Sequence, residues 1–208
     1  MLLKENTLEQ FAEVLSSSSP VPGGGSVAAL NGALAAALLQ MVGALTLGKE
    51  KYKEFHHEMQ KIANNAAILK DRLLSGIDED AEAFNKVSAV FSMPKETPEE
   101  KTARSGAMQE ALKTAALVPL ETMKTSYACL LLADSIYGKT NTSCLSDYGS
   151  AALCVVASVK AAWLNVKINL SGIKDEEFVN QTGEEAKDIL VRSEKLAEEL
   201  YRKIEEAI

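Results

Sequence analysis

The chain has 208 residues, of which 22 are basic and 29 are acidic, and its formal net charge is −7. An acidic chain without a concentrated stripe of lysine and arginine is a poor nucleic-acid binder, because neutralising phosphates requires clustered cations. Alanine is abundant and aromatic residues make up only 5%. Because alanine is the strongest helix former, this composition favours an all-α protein.

The beginning of the sequence and the cysteines bear on the cellular compartment. Residues 1–10 lack the uninterrupted apolar stretch of a secretory signal peptide. Cys129, Cys144 and Cys154 are odd in number and have no CxxC spacing, so neither a disulfide framework nor a zinc site is expected. These features predict a cytoplasmic protein without a metal site.

Hydrophobic periodicity and capping signals predict a helix in each of several segments. In chain order these are residues 7–15, 26–47, 52–74, 78–91, 97–136, 149–170 and 184–208, with a polar loop at 138–145. Pro119 is expected to kink or divide the helix over 97–136. No second core, repeat or strand is evident. The prediction is one domain over residues 1–208, an up-and-down helical bundle with two long buried apolar helices.

Residues 26–47 and 149–170 are the two apolar helices. The first is nearly apolar on every side, which is typical of a helix surrounded by other helices. Its length would also suit a membrane span, but alanine and glycine dominate it and it carries Asn31 and Gln40. A central core helix is therefore preferred, and no membrane association is predicted.

A glycine turn precedes the first apolar helix. Pro22, Gly23, Gly24, Gly25 and Ser26 lead directly into the helix N-terminus. Glycines allow a ligand to approach the backbone, and the free amides together with the helix dipole favour an anion. The turn lacks the Gly-Lys-Ser/Thr of a P-loop. A tight turn between packed helices is the alternative explanation.

Other candidate binding residues lie further along the chain. Lys49 follows the apolar helix, where a cation either complements the helix dipole or pairs with a ligand. Asp80 and Phe84 are four residues apart and share a helix face, although acids in a first helical turn are usually solvated. Adjacent His56 and His57 lie on a mostly charged segment and are expected to be solvated rather than catalytic.

Polar residues also flank and interrupt the second apolar helix. Ser146 and Asp147 are good helix caps, and with Asn141 they would also form a second polar helix N-terminus facing a ligand. Asn165 and Asn169 lie within an apolar helix, so they either tie helices together or face a polar pocket.

Taken in order, these segments resemble the formiminotetrahydrofolate cyclodeaminase and methenyltetrahydrofolate cyclohydrolase family. The resemblance rests on PVPGGGSVAAL, LTLGKEKY, DEDAEAF, MPKETPEEK, ALKTAALVPL, CLSDYG and AAWLNVKINL, and it covers residues 5–180. It implies an all-α domain that forms a homodimer or a higher homo-oligomer, with a tetrahydrofolate derivative as its substrate and no tightly bound cofactor. One departure is Thr140, which stands before Asn141 where the family usually has glycine.

By this resemblance, Lys49, Asp80 and Asp147 are the candidate catalytic residues. The glycine turn (Pro22–Ser26), Asn141, Ser146 and Asn165 would hold the folate, and Phe84 or Tyr148 would stack on one of its rings. The glycine and Ser-Asp turns are expected to lie near one another. Cyclodeaminase activity is slightly preferred and cyclohydrolase activity is the alternative. A non-catalytic helical oligomerisation module is a second alternative.

Overall fold

The computed structural model describes residues 2–208, which form six α-helices and no strand. The helices are α1 (Leu8–Ser16), α2 (Gly24–Leu47), α3 (His56–Phe91), α4 (Pro98–Ser135), α5 (Leu145–Leu170) and α6 (Glu176–Glu205). Short 3-10 segments lie at Leu3–Glu5, Glu50–Phe55 and Thr142–Cys144. The all-α prediction is confirmed.

Two helices begin where side-chain caps predict. Thr7 caps α1 by accepting from the Gln10 amide at 3.1 Å, and the Gln10 side chain accepts from the Thr7 amide in return. Thr97 and Glu100 form the same reciprocal pair before α4. Such pairs satisfy amides that a helix N-terminus leaves without partners.

Some predicted helix boundaries are wrong. The segments 52–74 and 78–91 form one helix of 36 residues, because Gly76 is buried and helical rather than a break. Its missing side chain lets α3 approach Ala29 of α2. Pro119 is buried within α4 without dividing it, since packing on neighbouring helices offsets its missing hydrogen bond. Helix α6 starts earlier than predicted because Asp175 caps it, accepting from the Phe178 amide at 3.1 Å.

Helix α2 lies at the centre of the bundle and packs on α3, α4 and α5. Its contact residues are small, so neighbouring backbones come close. The Ser158 hydroxyl of α5 donates to the Ala28 carbonyl at 2.7 Å and lies 2.8 Å from the Ser126 hydroxyl of α4. This buried hydroxyl pair ties three helices together.

By length and apolar composition, α2 and the segment Thr142–Leu170 each pass a simple test for a membrane span. In the bundle, half of the most apolar stretch of α2 is buried, and 39% of the stretch in the second segment. Helix α2 therefore serves as a core helix here. Helices α2 and α5 also expose apolar side chains on the surface of the bundle.

Gly32 on α2 should be sensitive to the smallest enlargement. A Cβ at this position would lie 2.5 Å from the Ser126 hydroxyl oxygen and 2.8 Å from a Leu73 methyl. We expect Gly32→Ala to destabilise the protein by about 1–3 kcal/mol in urea unfolding. Gly106→Ala is the matched control, because Gly106 is helical, exposed and has open space around it. It should stabilise by about 0.5–1 kcal/mol, and equal effects of the two substitutions would contradict the packing at Gly32.

Candidate functional site

The glycine turn places the first turn of α2 directly against Asp80 of α3. A Cβ on Gly25 would lie 1.9 Å from Asp80 Oδ1, so only glycine leaves room for this carboxyl. The Ser26 hydroxyl donates to Asp80 Oδ2 at 2.9 Å and lies 3.1 Å from the Ile77 carbonyl. The carboxyl is therefore held in one orientation at a helix N-terminus.

The environment of Asp80 makes it easier to protonate. Burial raises the pKa of the Asp80 carboxyl above its ordinary value, and hydrogen bonds from the Ser26 hydroxyl and amide offset part of that rise. A carboxyl with a raised pKa can both accept and return a proton nearer to neutral pH. Asp80 is thus suited to acid–base work.

Asp80 lies in a cleft of about 310 Å³, which we call the Asp80 cleft. Its size is at the lower end of the range for small-molecule pockets. Gly23, Gly24 and Gly25 form one wall, and Phe84, one turn beyond Asp80, is 42% exposed. The remaining wall is mostly apolar and consists of Pro20, Val21, Ala83, Val87, Ala115 and Ile168.

Two side-chain amides of α5 also line the Asp80 cleft, one of them next to Gly24. Asn165 Nδ2 donates to the Ala161 carbonyl at 2.9 Å, and Asn169 Nδ2 donates to the Ala115 and Asn165 carbonyls at 2.8 and 2.9 Å. Neither Oδ1 atom accepts a hydrogen bond from residues 2–208. Both amides line the cleft, so they are available as acceptors.

The other predicted site residues cluster at the opposite end of α2. Lys49 and Asp147 both lie close enough to Cys144 to affect its pKa, which burial raises most strongly. Asn141 is buried, with its amide donating to the Thr46 hydroxyl at 3.0 Å and its Oδ1 accepting from the Ser143 amide. We call Lys49, Asn141, Ser146 and Asp147 the Lys49 cluster.

The expectation that the glycine and Ser-Asp turns lie near one another is wrong within one chain. Helices α2 and α5 are antiparallel, so Gly24 lies beside Asn165 while Thr46 lies beside Asn141. The 24 residues of α2 separate the two ends by roughly 35 Å. Asp80, Phe84, Asn165 and the glycine turn are brought together, whereas the Lys49 cluster lies apart from them.

Several finer interpretations change as well. Tyr148 is fully buried and donates to the Ala133 carbonyl, so it cannot stack on a ligand. Neither Ser146 nor Asp147 caps α5, because that helix already begins at Leu145. Pro22 and Ser26 shape the turn without lining the Asp80 cleft. Thr140 is buried, and Asn141 is nevertheless anchored to α2.

The predicted folate-binding residues included neither Val87 nor Asn169, although Asn169 was expected to tie helices together or to face a polar pocket. Both could have been found from periodicity, since Asn169 follows Asn165 by one turn and Val87 follows Asp80 by two. Across residues 2–208, no three histidine, cysteine or acidic side chains are grouped as a metal site would require.

The sequence matches a known protein family over most of its length. The family model described as formiminotransferase-cyclodeaminase matches residues 7–188. The chain belongs to that family.

Individual members of the family carry two different names. A methenyltetrahydrofolate cyclohydrolase from Methylorubrum extorquens is 38% identical over 202 residues, which are 97% of each chain. The formimidoyltransferase-cyclodeaminase of Rattus norvegicus is 36% identical over 86% of this chain but only 33% of its own length. The crystal structure of formiminotetrahydrofolate cyclodeaminase from Thermotoga maritima superposes with a TM-score of 0.84, with 28% identity, 99% of this chain and 96% of that chain covered.

Proposed function

We propose that this protein is a folate one-carbon enzyme that converts 5-formiminotetrahydrofolate to 5,10-methenyltetrahydrofolate and ammonia. The observation that carries the proposal is the Asp80 carboxyl, partly buried and oriented by Ser26 in a cleft of ligand size. Family membership supplies the substrate class. The chemistry needs one group that removes a proton from the attacking nitrogen and returns it to the departing nitrogen.

Asp80 performs that transfer in the proposed reaction. N10 of the substrate attacks the carbon of the formimino group, whose nitrogen is protonated, so an N10–C bond forms, the C=N double bond becomes a single bond and a tetrahedral adduct results. The N10 proton passes to the Asp80 carboxylate and then to the exocyclic nitrogen. The C–N bond to that nitrogen breaks and ammonia leaves, giving the methenyl cation. The carboxylate also stabilises the cationic carbon electrostatically.

The other walls of the cleft suit the remaining parts of the substrate. The first amides of a helix have no intrahelical partners, and Gly23 provides no side-chain cap, so α2 offers donors to the ligand. Asn165 and Asn169 offer Oδ1 acceptors for the N–H groups of a pterin. Phe84 offers an exposed aromatic face to a ring.

Cyclohydrolase activity is the second candidate, and the 38% identity over nearly the full length of both chains favours it specifically. In that reaction water adds to the methenyl carbon, and the same carboxyl accepts a proton from it and returns that proton to N5. The C–N5 bond breaks and the remaining hydroxyl proton is released, giving 10-formyltetrahydrofolate. One absorbance assay separates the two. Formation of methenyltetrahydrofolate from the formimino compound is expected, and accelerated loss of methenyltetrahydrofolate without such formation would instead establish the hydrolase. A non-catalytic module would do neither and would show no thermal shift with 5-formyltetrahydrofolate.

We further propose a two-fold homodimer in which α2 packs against its copy. Outward-facing apolar side chains occupy one side of α2 and one side of α5, namely Leu34, Met41, Leu45, Leu153, Leu164 and Ile168. A two-fold axis through the middle of α2 places the start of α2 in one subunit beside the end of α2 in the other. It would therefore bring the Lys49 cluster of one subunit toward the Asp80 cleft of the other.

This arrangement predicts that two inactive variants restore each other. Asp80→Asn and Lys49→Gln are each expected to be inactive alone. In co-expressed mixed dimers one of the two sites has both residues intact, so about a quarter of wild-type activity should return for random pairing. Selection of mixed dimers with two affinity tags would double that value. Activity no greater than the sum of the parents would show that no site combines residues of two subunits.

A further inference from the structure

Tyr52 connects two segments of the chain that both carry residues of the Lys49 cluster. It lies in the 3-10 segment between α2 and α3, and its side chain belongs to the interior, since the residue is only 8% exposed. The Tyr52 hydroxyl accepts from the Thr142 amide at 3.1 Å and donates to the Thr142 hydroxyl at 3.4 Å. One phenol group therefore joins the segment after α2 to the segment before α5.

Residues 141–144, which we call the Asn141 turn, are held by side chains at successive amides. The Asn141 amide donates to the Thr46 hydroxyl of α2 at 3.0 Å. The next amide donates to the Tyr52 hydroxyl, and the Ser143 amide donates to Asn141 Oδ1 at 3.1 Å. Helix α5 begins directly after the Asn141 turn. The position of the turn therefore decides where the first residues of α5, including Asp147, lie.

The main chain of Lys49 is fixed by the same part of the structure. The Lys49 amide donates to the Thr46 carbonyl at 3.1 Å, and the Lys49 carbonyl accepts from the Tyr52 amide at 3.0 Å. The His56 ring adds a further contact, with Nε2 3.1 Å from the Lys49 carbonyl oxygen. Lys49 itself is exposed. The base of its side chain is thus anchored while the ammonium group stays accessible to a ligand.

The hydroxyl of Tyr52 is engaged mainly as a hydrogen-bonding partner of Thr142. Hydrogen bonds with the Thr142 hydroxyl and amide lower the pKa of the Tyr52 hydroxyl, and burial opposes part of that effect. Thr142 is exposed, so water can replace the phenol as a partner if the hydroxyl is removed. Loss of the hydroxyl would therefore release the Asn141 turn without leaving a buried amide unpaired.

We propose that Tyr52 is a positioning residue, whose hydroxyl sets the separation between Lys49 and the Asn141 turn. Two candidate catalytic residues, Lys49 and Asp147, lie on the two segments that this hydroxyl joins. A misplacement of about 1 Å in a catalytic group can cost about 10²-fold in rate. His56 acts in the same sense on the main chain of Lys49. The inference rests on the proposed function, in which Lys49 and Asp147 act on the folate substrate.

The test is Tyr52→Phe, which removes the hydroxyl and keeps the ring. We expect kcat to fall about 10- to 100-fold while the Kd of 5-formyltetrahydrofolate changes by less than about twofold, because the Asp80 cleft still holds the ligand. His56→Gln should show the same pattern with a smaller fall in kcat, since the Tyr52 amide still donates to the Lys49 carbonyl. A purely structural role would not separate turnover from binding in this way.

Tyr137→Phe is the matched control. The Tyr137 hydroxyl donates to the Lys203 carbonyl of α6 at 3.0 Å, so this substitution also removes one phenol hydroxyl and one hydrogen bond to the main chain. It should leave kcat unchanged. Wild-type kcat in Tyr52→Phe, an equal loss of kcat in the two tyrosine variants, or a loss of affinity as large as the loss of kcat would overturn the inference while the folate function stands. Wild type that neither forms nor hydrolyses methenyltetrahydrofolate would overturn the proposed function itself.

Discussion

Replacing Asp80 with asparagine is expected to lower the turnover number by about 10²–10⁴-fold, the usual contribution of a general acid–base group. Asparagine keeps the size of the side chain and can still accept from the Ser26 hydroxyl. Binding of 5-formyltetrahydrofolate should therefore persist. Wild-type turnover in Asp80→Asn would remove this residue from the mechanism.

The same substitution should increase stability at neutral and higher pH. Because burial raises the pKa of Asp80, the folded protein holds this proton more tightly than the unfolded chain does. The free energy of unfolding of wild type therefore falls as pH rises from the unfolded pKa through the folded one. Asp80→Asn has no such titration, so its advantage should be present above that interval and shrink as pH falls through it.

Thermal unfolding of wild type and Asp80→Asn across a pH series measures this effect. Glu82→Gln is the matched control, since Glu82 is an exposed acid on the same helix, two residues away. It should change neither turnover nor the pH dependence of Tm. A Tm difference between wild type and Asp80→Asn that grows toward acid would contradict the burial of this carboxyl.

Gly25→Ala is expected to inactivate the enzyme while leaving most of the fold intact. The added Cβ would lie 1.9 Å from Asp80 Oδ1 and 2.5 Å from Asp80 Cγ, so the carboxyl must leave its position beside Ser26. We expect a stability loss of about 1–3 kcal/mol from overpacking. Displacement of the carboxyl should lower turnover by about 10²-fold or more.

Gly24→Ala provides an adjacent control for this result. Its Cβ would lie 3.3 Å from Asn165 Nδ2, a contact that a small movement of the amide relieves. Turnover should fall much less than in Gly25→Ala, and urea unfolding should separate stability from activity in both variants. Equal loss of activity in the two variants would indicate that the turn, rather than Asp80, is being disturbed.

Much of the fold follows from local signals in the sequence. Thr7 and Thr97 cap α1 and α4 at the predicted starts of these helices, because a cap depends only on residues within one turn. The interruption predicted between residues 74 and 78 is wrong, since Gly76 lies inside α3. Its role as a contact with Ala29 depends on another helix and is not visible locally.

The site was partly predictable for a similar reason. Asp80 and Phe84 were identified as neighbours because four-residue spacing on a helix is a local relation. The separation of Lys49 from Asp80 depends on the antiparallel pairing of α2 with α5, which no short motif encodes. The raised pKa of Asp80 could not be predicted from the sequence either, because the carboxyl is buried by residues from three different segments.

The length of α2 limits which insertions and deletions this protein can accept. Inserting one residue into a helix shifts one end by 1.5 Å and turns it by about 100° relative to the other. Hydrogen bonds at Ala28–Ser158 and at Thr46–Asn141 fix both ends of α2. An insertion would therefore break one of them unless the segment leading into α5 changed length in step. Loops should tolerate length variation, whereas α2 should behave as a spacer of constant length.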